Sequence, residues 1–490
     1  MYKSFISCAL ALIASVSAAA HEVRIEGDRL TLQADSTPLK EVLKSFAHAG
    51  VAVRVDPRID IRVTGTCENR DMQEALDALL KDYTYVLIWD VVKGPLGDLP
   101  RLAEIQIFQP GEREAMQPLA PPSRNLRVSR GPTGSGPAFV EDEILVGMKP
   151  GTTAEQFRLL LAQIGGTVVG SIPELGVYQV RLLPGTNILD LVAQLSNNPQ
   201  VNRVEPNYVT DIAQPEAGTP KNADDKPVVA PAVPKGAARV AILDSGLLPG
   251  SGVEDSIVAS YDALVPGSTL NDPVGHGTQM AMIASGAVSP AGVDGDGVGV
   301  PLVAIRTFDD NGNTSNYALM RAIDYAIAQG AKVINLSWGS ETSSEFVETS
   351  VAYAQAKGLV MVSSAGNAPT GKPVYPSAYP GVVSVAALDE SGAAWEKSNY
   401  GSTITVAAAG TATFPVGHNG PPGAYAGTSI SSAYVSRELA LYFTKNPNAS
   451  PADARKALTG AVTDAGTPGK DPYYGYGTLD ASASDKLLGK

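Results

Sequence analysis

The sequence predicts an α/β protein: a doubly wound parallel sheet in the C-terminal half, preceded by two small α+β units, the second ferredoxin-like. Three observations carry this. From about residue 237 onward, apolar runs of strand length alternate with helix-periodic segments, the pattern of a parallel sheet covered on both faces. A compact β-α-β-β-α-β order occupies residues 141–209. Pro-rich stretches at 109–140 and 210–236 show no apolar periodicity and read as linkers.

At 490 residues the chain is too long for one core, and 44% hydrophobic with 18% charged residues marks it as globular. The net charge of −13 argues against nucleic acid as a partner. Lys3, the apolar run Phe5–Ile13 and the small residues Ala18-Ala19-Ala20 predict a signal peptide over 1–20, and hence a secreted or periplasmic protein. No later stretch reaches the roughly 18 uninterrupted apolar residues of a membrane span, so no membrane anchor is expected. With Cys8 in the leader, Cys67 is left without a partner for an intramolecular disulfide and is expected to be a buried hydrophobe.

In the first unit, 21–108, Leu39, Val42, Leu43 and Phe46 fall at helical spacing, as do Leu76, Leu79 and Leu80. Asp71 with Glu74 predicts a cap on the second helix, and Val51–Val55 alternates as a strand. In the second unit, 141–209, strands are predicted at Glu143–Met148, Thr167–Val169, Val177–Leu182 and Val201–Val204. Helices are predicted around Phe157–Ile164 and Ile188–Leu195. The third unit, 237–490, begins with the strand Arg239–Leu243 and continues through the helix Tyr317–Ile327. Further strands are expected at Val333–Leu336, Leu359–Val362 and Val382–Val385.

Chemistry concentrates in three glycine-flanked strings of this third unit: Asp244-Ser245-Gly246, Gly275-His276-Gly277-Thr278 and Gly427-Thr428-Ser429. A serine alcohol becomes a nucleophile when a histidine takes its proton and a carboxylate fixes the histidine tautomer. Asp244 ends a strand, and ligands of doubly wound sheets bind at strand carboxyl ends. His276 opens an apolar helix through Met280 and Ile283. Ser429 opens another, whose N-terminal N–H groups face the place where negative charge develops. His418, in Val416-Gly417-His418-Asn419-Gly420, is the other histidine of this unit, and its Gly- and Pro-rich setting predicts an exposed loop.

These strings, in the order Asp, His, Ser, resemble those of the subtilisin-like serine proteases. The resemblance implies a subtilisin-like fold and an endopeptidase acting on protein or peptide substrates through Asp244, His276 and Ser429. Ser363-Ser364-Ala365-Gly366-Asn367 matches the family's Ala-Gly-Asn position, which implies Asn367 as a side-chain oxyanion donor. Ser337-Trp338-Gly339 resembles the segment that pairs with extended substrate. Gly366 would leave room beside it and Trp338 would wall a pocket for an apolar residue. Glu143-Ile144-Leu145-Val146 and Val204-Glu205-Pro206-Asn207-Tyr208 resemble the family's inhibitory propeptide, implying a zymogen held by its own propeptide.

Two positions depart from the family pattern. Ala433 replaces a proline, and a Pro-rich linker stands where a lead-in helix precedes the first strand. The family requires no cofactor, and no metal ligand is assigned. Asp294-Gly295-Asp296-Gly297 and Asp309-Asp310-Asn311-Gly312-Asn313 lack EF-hand spacing and read as acidic turns, although structural calcium is common in the family. The string from Leu30 through Thr37-Pro38-Leu39 to Trp89 resembles the small front domain of secretins and TonB-dependent receptors, which implies an envelope partner for residues 21–108. That supplies the rival expectation: a catalytically impaired protein that docks through its first unit.

Overall fold

The computed structural model describes residues 22–26, 29–80, 83–119, 125–131, 134–212, 216–217 and 228–490; the expected signal peptide lies outside them. The first unit contains β1 (Glu22–Glu26), β2 (Arg29–Pro38), α1 (Leu39–His48), β3 (Ala52–Val55) and β4 (Arg62–Asp71). It continues with α2 (Met72–Leu80), β5 (Thr84–Gly94), β6 (Gly97–Phe108) and β7 (Gln117–Pro118). Two sheets, in the orders β1-β2-β4 and β5-β6-β3-β7, enclose both helices. Leu39, Val42, Leu43 and Phe46 of α1 are all buried, as their spacing requires. Asp71 caps α2 by accepting from Glu74 N–H at 3.1 Å. Cys67 is half-buried on β4.

The second unit contains β8 (Val128–Ser129), β9 (Phe139–Met148), α3 (Ala154–Ile164), β10 (Thr167–Ile172), β11 (Val177–Arg181), α4 (Ile188–Leu195) and β12 (Val201–Asp211). Its antiparallel sheet runs β10-β11-β9-β12, the ferredoxin-like order. A Thr153–Gln156 capping box starts α3, and Gly165, at φ 64°, ends it in the left-handed conformation that glycine adopts cheaply. Strand pairing redraws the expected boundaries. β7 pairs with β3 and β8 pairs with β9, so both ends of the expected 109–140 linker belong to the folded units.

Beyond the short β13 (Glu216–Ala217), the third unit opens with β14 (Val240–Asp244), β15 (Ile257–Asp262), α5 (His276–Ser285) and β16 (Leu302–Arg306). Next come β17 (Asn313–Ser315), α6 (Asn316–Ala328), β18 (Val333–Leu336), α7 (Glu345–Ala356), β19 (Val360–Ser364) and β20 (Val383–Leu388). The unit closes with β21 (Val406–Ala409), β22 (Thr411–Phe414), β23 (Gly423–Ala426), α8 (Thr428–Lys445), α9 (Pro451–Ala461), β24 (Thr478–Leu479) and α10 (Ala481–Leu488).

Eight strands form one parallel sheet in the order β15-β16-β14-β18-β19-β20-β21-β24. Every residue of β14, β16, β18, β19 and β20 is buried, as expected of strands covered on both faces. One cluster joins α5 and α8 to one face, and a second joins α6 and α7 to the other. The strand order reverses between β14 and β18, so a crevice opens at their carboxyl ends. Arg306 is fully buried at the carboxyl end of β16, paired with Asp310 at 2.5 Å and 3.9 Å from Asp262.

Candidate active site

The crevice holds the residues singled out from the sequence. β14 carries Asp244 to the sheet edge, and α5 begins with His276. His276 Nδ1 and Asp244 Oδ1 lie 2.7 Å apart, with both side chains about 1% exposed. Ser245 N–H also donates to Asp244 Oδ1 at 2.8 Å, and the Ser245 hydroxyl accepts from Gly277 N–H at 2.8 Å. The carboxylate therefore fixes both the strand-to-loop turn and the imidazole. Gly275 is required here. Its φ is 87°, and a Cβ would stand 2.0 Å from the Gly417 carbonyl oxygen.

Ser429 lies in the first turn of α8 and is buried. Its hydroxyl donates to the Ser337 carbonyl at 3.0 Å, while the Ser337 hydroxyl donates to the Ser429 carbonyl at 3.1 Å. Ser337 directly follows β18, the neighbour of β14, so the two strand ends bring Ser429 and the Asp244–His276 pair to one edge. In this arrangement Ser429 is not bonded to His276, whose Nε2 is buried without a partner among the described residues.

Asn367 follows β19. Its Oδ1 accepts from Thr428 N–H at 3.0 Å and from the Thr428 hydroxyl at 2.8 Å. Anchoring the oxygen leaves the amide nitrogen turned toward Gly427, where a Cβ would lie 3.2 Å from Nδ2. Trp338 is buried with Phe308, and its Nε1–H donates to the Leu243 carbonyl at 3.0 Å, bracing β14. Gly339 is closely packed, since a Cβ would meet Val374 at 2.4 Å. Gly366 has φ 103°, and a Cβ there would stand 3.5 Å from Val374 and 3.8 Å from Asn399.

His418 corrects the reading of an exposed loop. It is 4% exposed, and its ring centroid lies 4.9 Å from that of His276. The loop is bolted down: Gln279 Nε2 donates to the Val416 carbonyl at 2.7 Å, and Asn419 N–H to the Val274 carbonyl at 2.9 Å. Neither ring nitrogen of His418 finds a partner among the described residues. Burial, aided by the neighbouring His276, pushes its pKa down to about 2, so it is a neutral imidazole. The glycines that marked a loop are what let it approach Gly275.

In the acidic turns, Asp296, Asp309 and Asp310 spend their carboxylates on protein donors. Asp296 pairs with Arg437 at 2.5 Å and accepts from Val298 N–H. Asp309 accepts from Asn311, Asn313 and Leu126 N–H groups, and Asp310 pairs with Arg306. Among the described residues no group of three or more His, Cys, Asp or Glu is placed to hold a metal, and these engaged carboxylates do not fit a calcium site.

The second unit docks beside the crevice. β12 pairs antiparallel with β17, joining Val209 to Ser315 and Asp211 to Asn313, so its sheet continues into the third unit. β13 pairs with β23, just ahead of Ser429. Leu145, Ile172, Leu175 and Val177 share a buried cluster with Tyr317, Met320 and Phe346. Asn207 accepts from Tyr317 N–H at 3.1 Å, and Glu205 accepts from Asn316 at 3.2 Å and from the Ser344 hydroxyl, so both residues engage helix N-termini. Burial nevertheless pushes the Glu205 carboxyl up to about 7. Glu205 and Asn207 stood within a string matched to the propeptide, but their contacts were not foreseen.

A parallel sheet carrying a buried Asp–His pair, a helix-opening serine and an anchored amide defines a subtilisin-like α/β serine protease. Residues 236–477 match the subtilase family model, Peptidase S8, and residues 128–207 match the fervidolysin N-terminal prodomain. The chain is 30% identical over 246 residues to thermitase of Thermoactinomyces vulgaris, a match covering 50% of this chain and 87% of thermitase. It is 28% identical to the thermophilic serine proteinase of Bacillus sp. strain AK1, covering 70% of this chain and 87% of that protein. It is also 30% identical to the minor extracellular protease Epr of Bacillus subtilis, of whose length it spans 38%. The crystal structure of fervidolysin from Fervidobacterium pennivorans aligns with a TM-score of 0.59 at 26% identity, covering 75% of this chain and 64% of that one. The chain belongs to the subtilase family. The resemblance of residues 21–108 to the front domain of secretins and TonB-dependent receptors finds no counterpart in these matches, and the envelope partner it implied has no support.

Proposed function

We propose that this protein is an exported endopeptidase made as a zymogen, hydrolysing peptide bonds through an acyl-enzyme on Ser429. The 2.7 Å buried contact between His276 Nδ1 and Asp244 is the observation that carries this reading. It holds the imidazole with Nε2 free to take the Ser429 proton, which passes next to the leaving amine. Asp244 stabilises the imidazolium that forms. The tetrahedral oxyanion is held by the Ser429 backbone N–H at the start of α8 and by the Asn367 amide. Hydrolysis of the acyl-enzyme repeats the proton transfer with water.

Ser337 to Gly339 and Gly366 line the substrate side, with Trp338 bracing the wall from within. Residues 128–211 act as the intramolecular inhibitor, because β12 occupies the β17 edge; just beyond them β13 lies along β23. The turn of the Ser429 hydroxyl toward Ser337 fits a resting state. Ser429→Ala tests the assignment. The variant should lose caseinolysis, self-processing and labelling by a fluorophosphonate probe, and any of these surviving at the parent rate overturns it. Unlabelled Ser429 in matured parent protein would favour the impaired docking reading.

A further inference from the structure

The first two units share a core. Val92 and Leu99 of the β5–β6 hairpin are buried in the same cluster as Phe157, Tyr178 and Val180 of the second unit, with Leu96 packed against it. Leu96, in the hairpin turn, donates its N–H to the Tyr178 hydroxyl at 3.0 Å, and Tyr178 is completely buried. The fit is tight at Gly94, where a Cβ would stand 2.4 Å from that hydroxyl.

Polar contacts from the first unit converge on β10. Arg101 Nη1 donates to the Val169 carbonyl at 2.6 Å, Thr167 Oγ1 donates to the Ile25 carbonyl at 3.0 Å, and the Ser171 hydroxyl donates to the Lys93 carbonyl. β10 is the outer strand of the second unit's sheet, and the opposite outer strand, β12, is the one that pairs with β17. An uncovered edge strand frays and exposes unpaired backbone groups. Here the first unit covers the far edge. The segment between the two units is also fastened to the third. Leu126 N–H donates to Asp309 Oδ2 at 2.8 Å, and Asp310 N–H to Asn125 Oδ1 at 3.2 Å, in the loop just before β17.

We propose that residues 22–119 are a working part of the inhibitory prosegment. Their β5–β6 hairpin is an interaction surface whose partner is this chain's own 128–211 unit. By holding β10 and β11 it keeps β12 in the form that docks on β17. Ordering the inhibitor before it docks lowers the entropic cost of docking. The inference rests on residues 128–211 being an intramolecular inhibitor.

The test uses the full chain. In the Ser429→Ala background, which stays uncut, Gly94→Val wedges the hairpin away from Tyr178, and Arg101→Ala removes the bond to Val169 more gently. Amide exchange in Thr167–Arg181 should quicken at least tenfold in the wedged chain and severalfold in the second variant. Val209–Asp211 should follow, while α1 stays protected as the folding check. If both variants keep parental protection across β10, β11 and β12, the first unit is a passenger and the inference falls. The same substitutions with Ser429 intact are read by fluorophosphonate labelling before processing, where early labelling should rise about tenfold. A latent parent with equally latent variants overturns this inference alone. A parent that is never latent overturns the inhibitor reading as well.

Discussion

Glu205 makes prosegment docking depend on pH in a direction that can be worked out. Its carboxyl enters from β12 between the starts of α6 and α7, where the Asn316 amide and the Ser344 hydroxyl pull its pKa down. Burial works the other way and wins, raising it from an ordinary 4.5 to about 7. A pKa raised by docking means that the docked state prefers the protonated acid. Its stabilising contribution is fully present below about 4.5 and is lost as pH rises through about 7. The displacement corresponds to at most about 3–4 kcal/mol, roughly three-hundredfold in the docking equilibrium. Glu205→Gln mimics the protonated acid at every pH, keeping an acceptor for Asn316 and Ser344. The assay is inhibition of the processed enzyme by its own equimolar prosegment between pH 5 and 9, normalised to prosegment-free enzyme at each pH. Parental inhibition should weaken through neutrality, and that of Glu205→Gln should stay flat and tight. Identical pH profiles would refute the reasoning.

Three further outcomes are expected. Asn367→Ala should lower kcat by about 10²–10³ with KM little changed, the loss known for the corresponding donor in subtilisin itself; steady-state kinetics on a small peptide substrate decide it. His418→Phe keeps a ring against His276 while deleting two buried nitrogens that have no partner among the described residues, so thermal unfolding of the Ser429→Ala chain should show it neutral or about 1 kcal/mol more stable. Arg306→Ala strips a buried cation from Asp262 and Asp310 and should cost about 3–5 kcal/mol in denaturant unfolding; a cost below about 1 would show that water replaces it freely.

The catalytic half was legible because its signals are local. Fully apolar strands, glycines at tight approaches and helix-opening residues each state their own geometry, and the Asp244–His276 contact follows from a strand end meeting a helix start. His418 was misread because Gly and Pro report only that the chain turns. Whether a turn faces water depends on what packs against it, here Gly275 and Val274 from far away in sequence. The linker boundaries failed for a related reason. β7 and β8 are two residues each and carry no periodicity, so only their partners β3 and β9 make them strands. The resemblance placed Trp338 as the wall of a substrate pocket, whereas its burial and its indole bond to Leu243 make it a brace behind β14.

The sheet that runs on from β12 into β17 also has a kinetic meaning. Pairings between residues this distant in sequence are slow to find, because loop closure must precede any gain from the contact. Yet β12 emerges from the ribosome well before β17 and α6, and can already be folded on its own unit when they appear. The search is then reduced to one segment finding a finished edge, with Glu205 and Asn207 waiting for two helix starts. A prosegment folded first would act as a template, setting the register of the crossover that places α6 and through it the spacing of the strand ends that carry Asp244 and Ser337.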